Sequence, residues 1–184
     1  MDQRAFQSPE ADLSLKTQTS RSLSWWFEIM IGVPLLLEAG VLLATGMMER
    51  FLYLFIQSLL GVILVWPVSV PLLILLYLGW SNCLKREEMQ SLRLLWLAPL
   101  IILPITMLCW GVLFYNPDYY SGNYERWHLL FLELIFFAFN FLAILAIFLN
   151  RGRQSFVAPF SLLSILVNHF CAFVFGSLVS GEWL

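Results

Sequence analysis

Charge is the scarcest resource in this chain. No Asp, Glu, Lys or Arg lies between Arg50 and Lys85, between Arg93 and Asp118, or between Arg153 and Glu182. Only 12% of the 184 residues are charged, about half the share of a soluble domain. That excludes a soluble fold, which could not hide so many apolar runs. It also removes the basic stripe a nucleic-acid binder needs. Cysteine is nearly absent too. Cys83, Cys109 and Cys171 show no CxxC or Cys/His spacing and cannot all pair internally, so buried thiols are expected rather than a disulfide or metal framework. No N-x-S/T sequon occurs, and the 1–23 segment is polar with both acids and bases. It is unlike the short basic start of a signal peptide, so the first apolar run reads as a retained helix.

What is there is hydrophobic: 60% of the residues, in runs that exceed the roughly 18 that nominate a membrane span. The predicted fold is an all-α integral membrane protein: a polar tail over 1–23, then five transmembrane helices over 24–184. The spans are placed at about 24–46, 51–79, 93–115, 127–149 and 155–180. The second is long for a hydrocarbon core of about 30 Å yet too short for two spans and a turn. Pro67 and Pro71, in WPVSVP, are expected to kink or tilt it, because proline removes a backbone donor and crowds the preceding turn.

Basic residues set the orientation, since Lys and Arg concentrate on the cytoplasmic side. With five spans and a cytoplasmic N-terminus, the inner segments hold Arg4, Lys16, Arg21, Lys85, Arg86, Arg93, Arg151 and Arg153, and the outer ones only Arg50 and Arg126. If the first run, interrupted by Pro34 and Glu38, did not span, the same ten residues would divide five against five. The C-terminus then lies on the side opposite the N-terminus. In the outer loop, Tyr115, Tyr119, Tyr120, Tyr124 and Trp127 read as an interfacial aromatic belt, and Asn116-Pro117-Asp118 as a turn.

Few polar groups fall inside the spans. At about 1.5 Å per residue from the inner helix ends, Glu38 lies roughly 21 Å up the first span and Glu133 roughly 24 Å up the fourth. Thr106 and His169, the latter beside Asn168, lie roughly 20 Å up the third and fifth. Intramembrane ionisable groups are costly and usually face a partner or a cavity. These five therefore form a candidate polar layer with two readings. One is a site that binds a cation or relays protons. The other is structural, with Glu133 bonded to Asn168 or a backbone carbonyl as interhelical glue. Glu133 and Asn140, seven apart, share a helix face. Ser161, Ser164, Asn168, Ala172 and Gly176 form a small-residue stripe on the fifth span, suited to close helix packing, and Gly40 with Ala44 forms a similar pair on the first.

No metal site and no cofactor is required by the sequence. His128 and His169 stand roughly 12 Å apart in depth, too far to clamp one haem, although His169 alone could ligate a pigment or haem with a partner chain. Gly-rich phosphate loops, H-E-x-x-H and G-x-S-x-G are missing. Glu87-Glu88 with Arg93 falls one position off the E-E-x-x-x-R motif of CAAX-type intramembrane proteases, and that family's His motifs are absent, so KREEMQSLR reads as a charged inner loop. Size, helix count and tryptophan content resemble the tryptophan-rich sensory family, but its loop motifs are absent.

The leading expectation is a non-catalytic multi-pass subunit or accessory protein of a larger membrane complex. Its partners would be the lipid bilayer and other membrane subunits, with no nucleic acid. The alternative is a small transporter or proton- or ion-conducting protein using Glu38, Glu133 and His169. A lipid-modifying membrane enzyme is third. The inside-positive bias places it in a bacterial inner membrane, with thylakoid and other organellar membranes left open.

Overall fold

The structure is a computed structural model. It describes residues 9–85, 97–115 and 126–180, with side chains from Trp25 onward except those of Phe27, Leu84 and Lys85. The expected charged loop with Glu87, Glu88 and Arg93, and the expected turn and belt residues at 116–125, lie outside the described residues. Among the described residues the chain is entirely helical: α1 (Pro9–Ala44), α2 (Met48–Leu64), α3 (Trp66–Lys85), α4 (Ala98–Leu113), α5 (Arg126–Leu149) and α6 (Gln154–Ser180), with a short 3-10 turn at Arg151–Arg153. Three helical stretches, Trp66–Cys83, Arg126–Leu149 and Arg151–Ser180, are long and apolar enough to cross a membrane. Ala98–Leu113 is a shorter apolar helix.

The elements follow from local chemistry. α1 already begins at Pro9, so much of the polar 1–23 segment is helical. It ends at Gly46, whose φ of 69° suits a residue without Cβ. The Gly46 amide bonds the Leu43 carbonyl, and the Met47 amide reaches back to Leu42. This is the Schellman pattern of a helix stop, and Met47 packs on the cluster containing Leu42, which closes the turn into α2.

The single second span expected over 51–79 is in fact two helices, broken at Val65. Pro67 explains the break. It has no amide for the Ile63 carbonyl, and its ring crowds that turn. The Val65 carbonyl instead accepts the amides of Val68 and Ser69 and starts α3. α4 has Leu97 as its N-cap and a proline in its first turn, where the missing amide costs nothing; residues 93–96 of the expected third span lie outside the described residues.

α6 is the centre of the bundle and touches α2, α3, α4 and α5. Its neighbours fix the relative directions. Gly61 of α2 sits against Phe170, and Gly79 of α3 against Ser155, so α2 and α3 together run antiparallel to α6. Gly111 of α4 meets Phe175 and Leu178, while Leu97 and Leu100 cluster with Phe156 and Val157, so α4 runs parallel. Leu132 of α5 meets Gly176, and Ala143 and Ala146 join the Phe156 cluster, so α5 runs antiparallel.

The approach at Gly79 is the closest of these. A Cβ there would stand 2.1 Å from the Ser155 carbonyl oxygen. Pro159, inside α6, supplies no amide to that carbonyl, and the Gly79 Cα–H faces it as a weak donor. Three apolar clusters fill the bundle. One joins α1, α2, α4 and α6 around Leu42, Leu54, Leu108 and Leu178. The other two surround Phe139 with Val157, and Met107 with Phe175.

Candidate functional site

The structure divides the five-residue polar layer into three places. Glu38 on α1 and Thr106 on α4 do meet, with the Thr106 hydroxyl hydrogen-bonded to Glu38 Oε1. Thr106 Oγ1 is also 3.1 Å from the Ile102 carbonyl. A hydroxyl has one hydrogen, so it donates to one acceptor at a time. A donating group at position 38 would satisfy both contacts together. Glu38 Oε2 is buried with no hydrogen-bond partner. This pair is a polar link between α1 and α4, one turn before Leu42 enters the apolar cluster that also holds Cys109 and Cys171. Those two thiols and Cys83 are buried, and none is in a disulfide.

Asn168 lies apart, fully buried in α6, and neither atom of its amide finds a partner. Ser161, two turns earlier, is also fully buried with its hydroxyl unpaired. Along the small-residue stripe, Gly176 meets Leu132 of α5 and Ala172 packs on the cluster containing Ile135 of the same helix. Ser164 is half-buried. On α1, nothing approaches within 4 Å of the Cβ position of Gly40, so its small face is not used inside the chain.

Glu133 and His169 point elsewhere. Glu133 is exposed on α5, among Leu130, Leu134 and Phe137, which are 62%, 67% and 68% exposed. His169 is exposed on α6. Its Nδ1 lies 2.7 Å from the Ile165 carbonyl, and since a carbonyl only accepts, Nδ1 carries the hydrogen. The imidazole stands edge-on to Phe136 at 4.8 Å. Phe136 is one turn from both Glu133 and Asn140 on α5, and its own carbonyl accepts the Asn140 amide at 2.9 Å. Glu133, Asn140 and His169 therefore share one outer seam between α5 and α6. The seven-residue spacing of Glu133 and Asn140 indicated their common face; the arrival of His169 beside it depends on how α6 packs.

His128 does not share that seam. It is 9% exposed, held between Trp127 at 3.9 Å and Phe114 at 4.3 Å, with Nε2 unpaired. The ring-rich end of α4 and α5 includes Trp110 and Phe131, 4.4 Å apart, while Arg50 at the start of α2 lies 4.3 Å over the Tyr115 ring. Among the described residues, no group of three or more His, Cys, Asp or Glu is placed to hold a metal ion. No protein-family model matches the chain, and neither a curated protein nor a solved structure is significantly similar to it.

Proposed function

We propose that the protein is a non-catalytic, multi-pass subunit of a larger membrane assembly. The observation that carries this reading is the outward position of Glu133 on α5 and His169 on α6, among exposed apolar side chains such as Leu130, Leu134 and Phe137. An ionisable side chain inside a membrane almost always faces a partner or a water-filled cavity. Among the described residues neither group is taken into the interior, and this reading assigns the complement to another molecule. The dispersal of the polar layer supports the same reading. Glu38 is engaged with Thr106 on α1 and α4, away from the α5–α6 seam that carries Glu133 and His169.

In this reading the chain crosses the membrane five times, with α2 and α3 forming one broken crossing. The N-terminus is cytoplasmic, the C-terminus is on the other side, and the membrane is a bacterial inner membrane. The alternating helix directions around α6 and the inside-positive distribution of Lys and Arg support that topology.

Site-specific photo-cross-linking in the native membrane tests the reading. A photoreactive residue at Leu134 or Phe137 on the seam is expected to give an adduct with a different polypeptide, and one at Leu73 on α3 is expected to give mainly lipid adducts. Only lipid or self adducts at the seam positions would refute the subunit reading.

A further inference from the structure

The seam has a chemical signature beyond its polarity: each of its polar side chains presents a hydrogen-bond acceptor. Glu133 as a carboxylate is acceptor-only. Asn140 gives one NH2 hydrogen to the Phe136 carbonyl, which leaves its Oδ1 as an acceptor beside one further N–H. His169 spends its Nδ1–H on the Ile165 carbonyl, so in the neutral ring Nε2 is an acceptor. From the helix ends nearest the α1–α2 turn, Arg126 of α5 and Ser180 of α6, Glu133 lies roughly 10 Å in, His169 roughly 16 Å and Asn140 roughly 21 Å. All three fall within a hydrocarbon core of about 30 Å, where acyl chains offer no donors.

We propose that this seam docks a transmembrane helix of another polypeptide that carries a lysine or arginine at the depth of Glu133 and His169. The inference rests on the subunit reading above and names the chemistry of the partner. A cationic side chain supplies several donors and no acceptor, complementing all three groups and offsetting the Glu133 charge where the dielectric is low. A second copy of this chain fits less well. A dimer with both copies inserted the same way brings like depths together, setting Glu133 against Glu133 with no cation between them. A phospholipid amine fits less well because it sits at the headgroup level rather than beside His169.

The test uses the full-length protein in phosphatidylcholine vesicles and a defined probe. The probe is a synthetic Leu/Ala transmembrane peptide with one arginine placed level with Glu133 and His169; the same peptide with Leu at that position is the reference. Association is read by energy transfer between labels. The arginine peptide is expected to bind the wild type more tightly than the Leu peptide. Interhelical hydrogen bonds average about 0.6 and reach about 1.7 kcal/mol, which corresponds to roughly 3- to 18-fold in affinity per bond. Joint Glu133→Leu and His169→Leu substitution is expected to erase the preference, and Glu133→Gln, which keeps the size but not the charge, to reduce it. Tryptophan fluorescence confirms that each variant is folded.

Equal binding of the two peptides, or a preference that survives the double substitution, would overturn the proposal. So would self-association of the wild type that Glu133→Leu abolishes, which would give the seam to a second copy. Extraction from the source membrane separates this failure from that of the subunit reading. A mixed assembly that still forms with the double variant would remove the seam and keep the subunit reading, whereas a wild type that never carries another polypeptide would remove both.

Discussion

Gly79→Ala is the most severe single-atom perturbation this bundle offers. The new Cβ would lie 2.1 Å from the Ser155 carbonyl oxygen, 2.6 Å from its carbon and 2.8 Å from the Phe156 Cα. All three are backbone atoms, so no rotamer change relieves the clash. Restoring an ordinary contact of about 3.5 Å requires α3 and α6 to separate by roughly 1.4 Å. A gap of only about 0.5–1 Å already forfeits a quarter to a half of the attraction between the atoms it parts. The Trp80–Phe156 contact, at 5.5 Å between rings, and the Cys83–Phe156 cluster stand nearest to it. Overpacking typically costs about 1–3 kcal/mol, and loss of the Cα–H···O contact adds about 0.5–1 kcal/mol, so about 1.5–4 kcal/mol is expected in total. Denaturant titration in detergent, followed by tryptophan fluorescence, reads it directly. Gly61→Ala is the graded comparison: its Cβ would be 2.4 Å from Phe170, a ring that can turn aside, and the expected loss is about 1 kcal/mol. Gly40→Ala, with nothing within 4 Å, is expected to change stability by less than about 0.5 kcal/mol. A Gly79→Ala protein as stable as the wild type would refute the close α3–α6 approach.

Two further substitutions probe the buried polar groups. Glu38→Gln keeps a donor and an acceptor beside Thr106 and is expected to retain the α1–α4 contact, whereas Glu38→Leu removes it and strands the Thr106 side of the pair; limited proteolysis at α1 should separate the two, and equal protection in both variants would show that the link does not anchor α1. Asn168→Ala removes two buried atoms that have no partner. Because an unpaired buried polar group costs about 1–3 kcal/mol, thermal stability in detergent should hold or rise; a loss of several kcal/mol would show that the amide is satisfied by something bound in the protein.

How far the sequence revealed this molecule depends on the element. α5 and α6 were legible almost to the residue, as apolar runs expected over 127–149 and 155–180 and found at Arg126–Leu149 and Gln154–Ser180. The break at Val65 was not, because hydropathy carries no account of backbone donors; WPVSVP marked the place, but a kink and a full interruption have the same composition. The depth of Glu38, Thr106, Glu133 and His169 along their helices could be counted, whereas their direction around the helix could not. In a membrane the outside of the bundle is as apolar as the inside, so Leu130, Leu134 and Phe137 on the outer face of α5 look no different from Ile135 and Phe139 on the inner one. The meeting of Glu38 with Thr106, and the departure of Glu133 and His169 to the outer seam, required the packing of α6 to be known.

Whether this chain is built to sit beside other membrane polypeptides can be read from its native mass after extraction from the source membrane in mild detergent, with the absorption spectrum of the same sample. A mixed assembly in which this 21.3 kDa chain is one component is expected. A clean monomer or homo-oligomer would show that the chain needs no such neighbour.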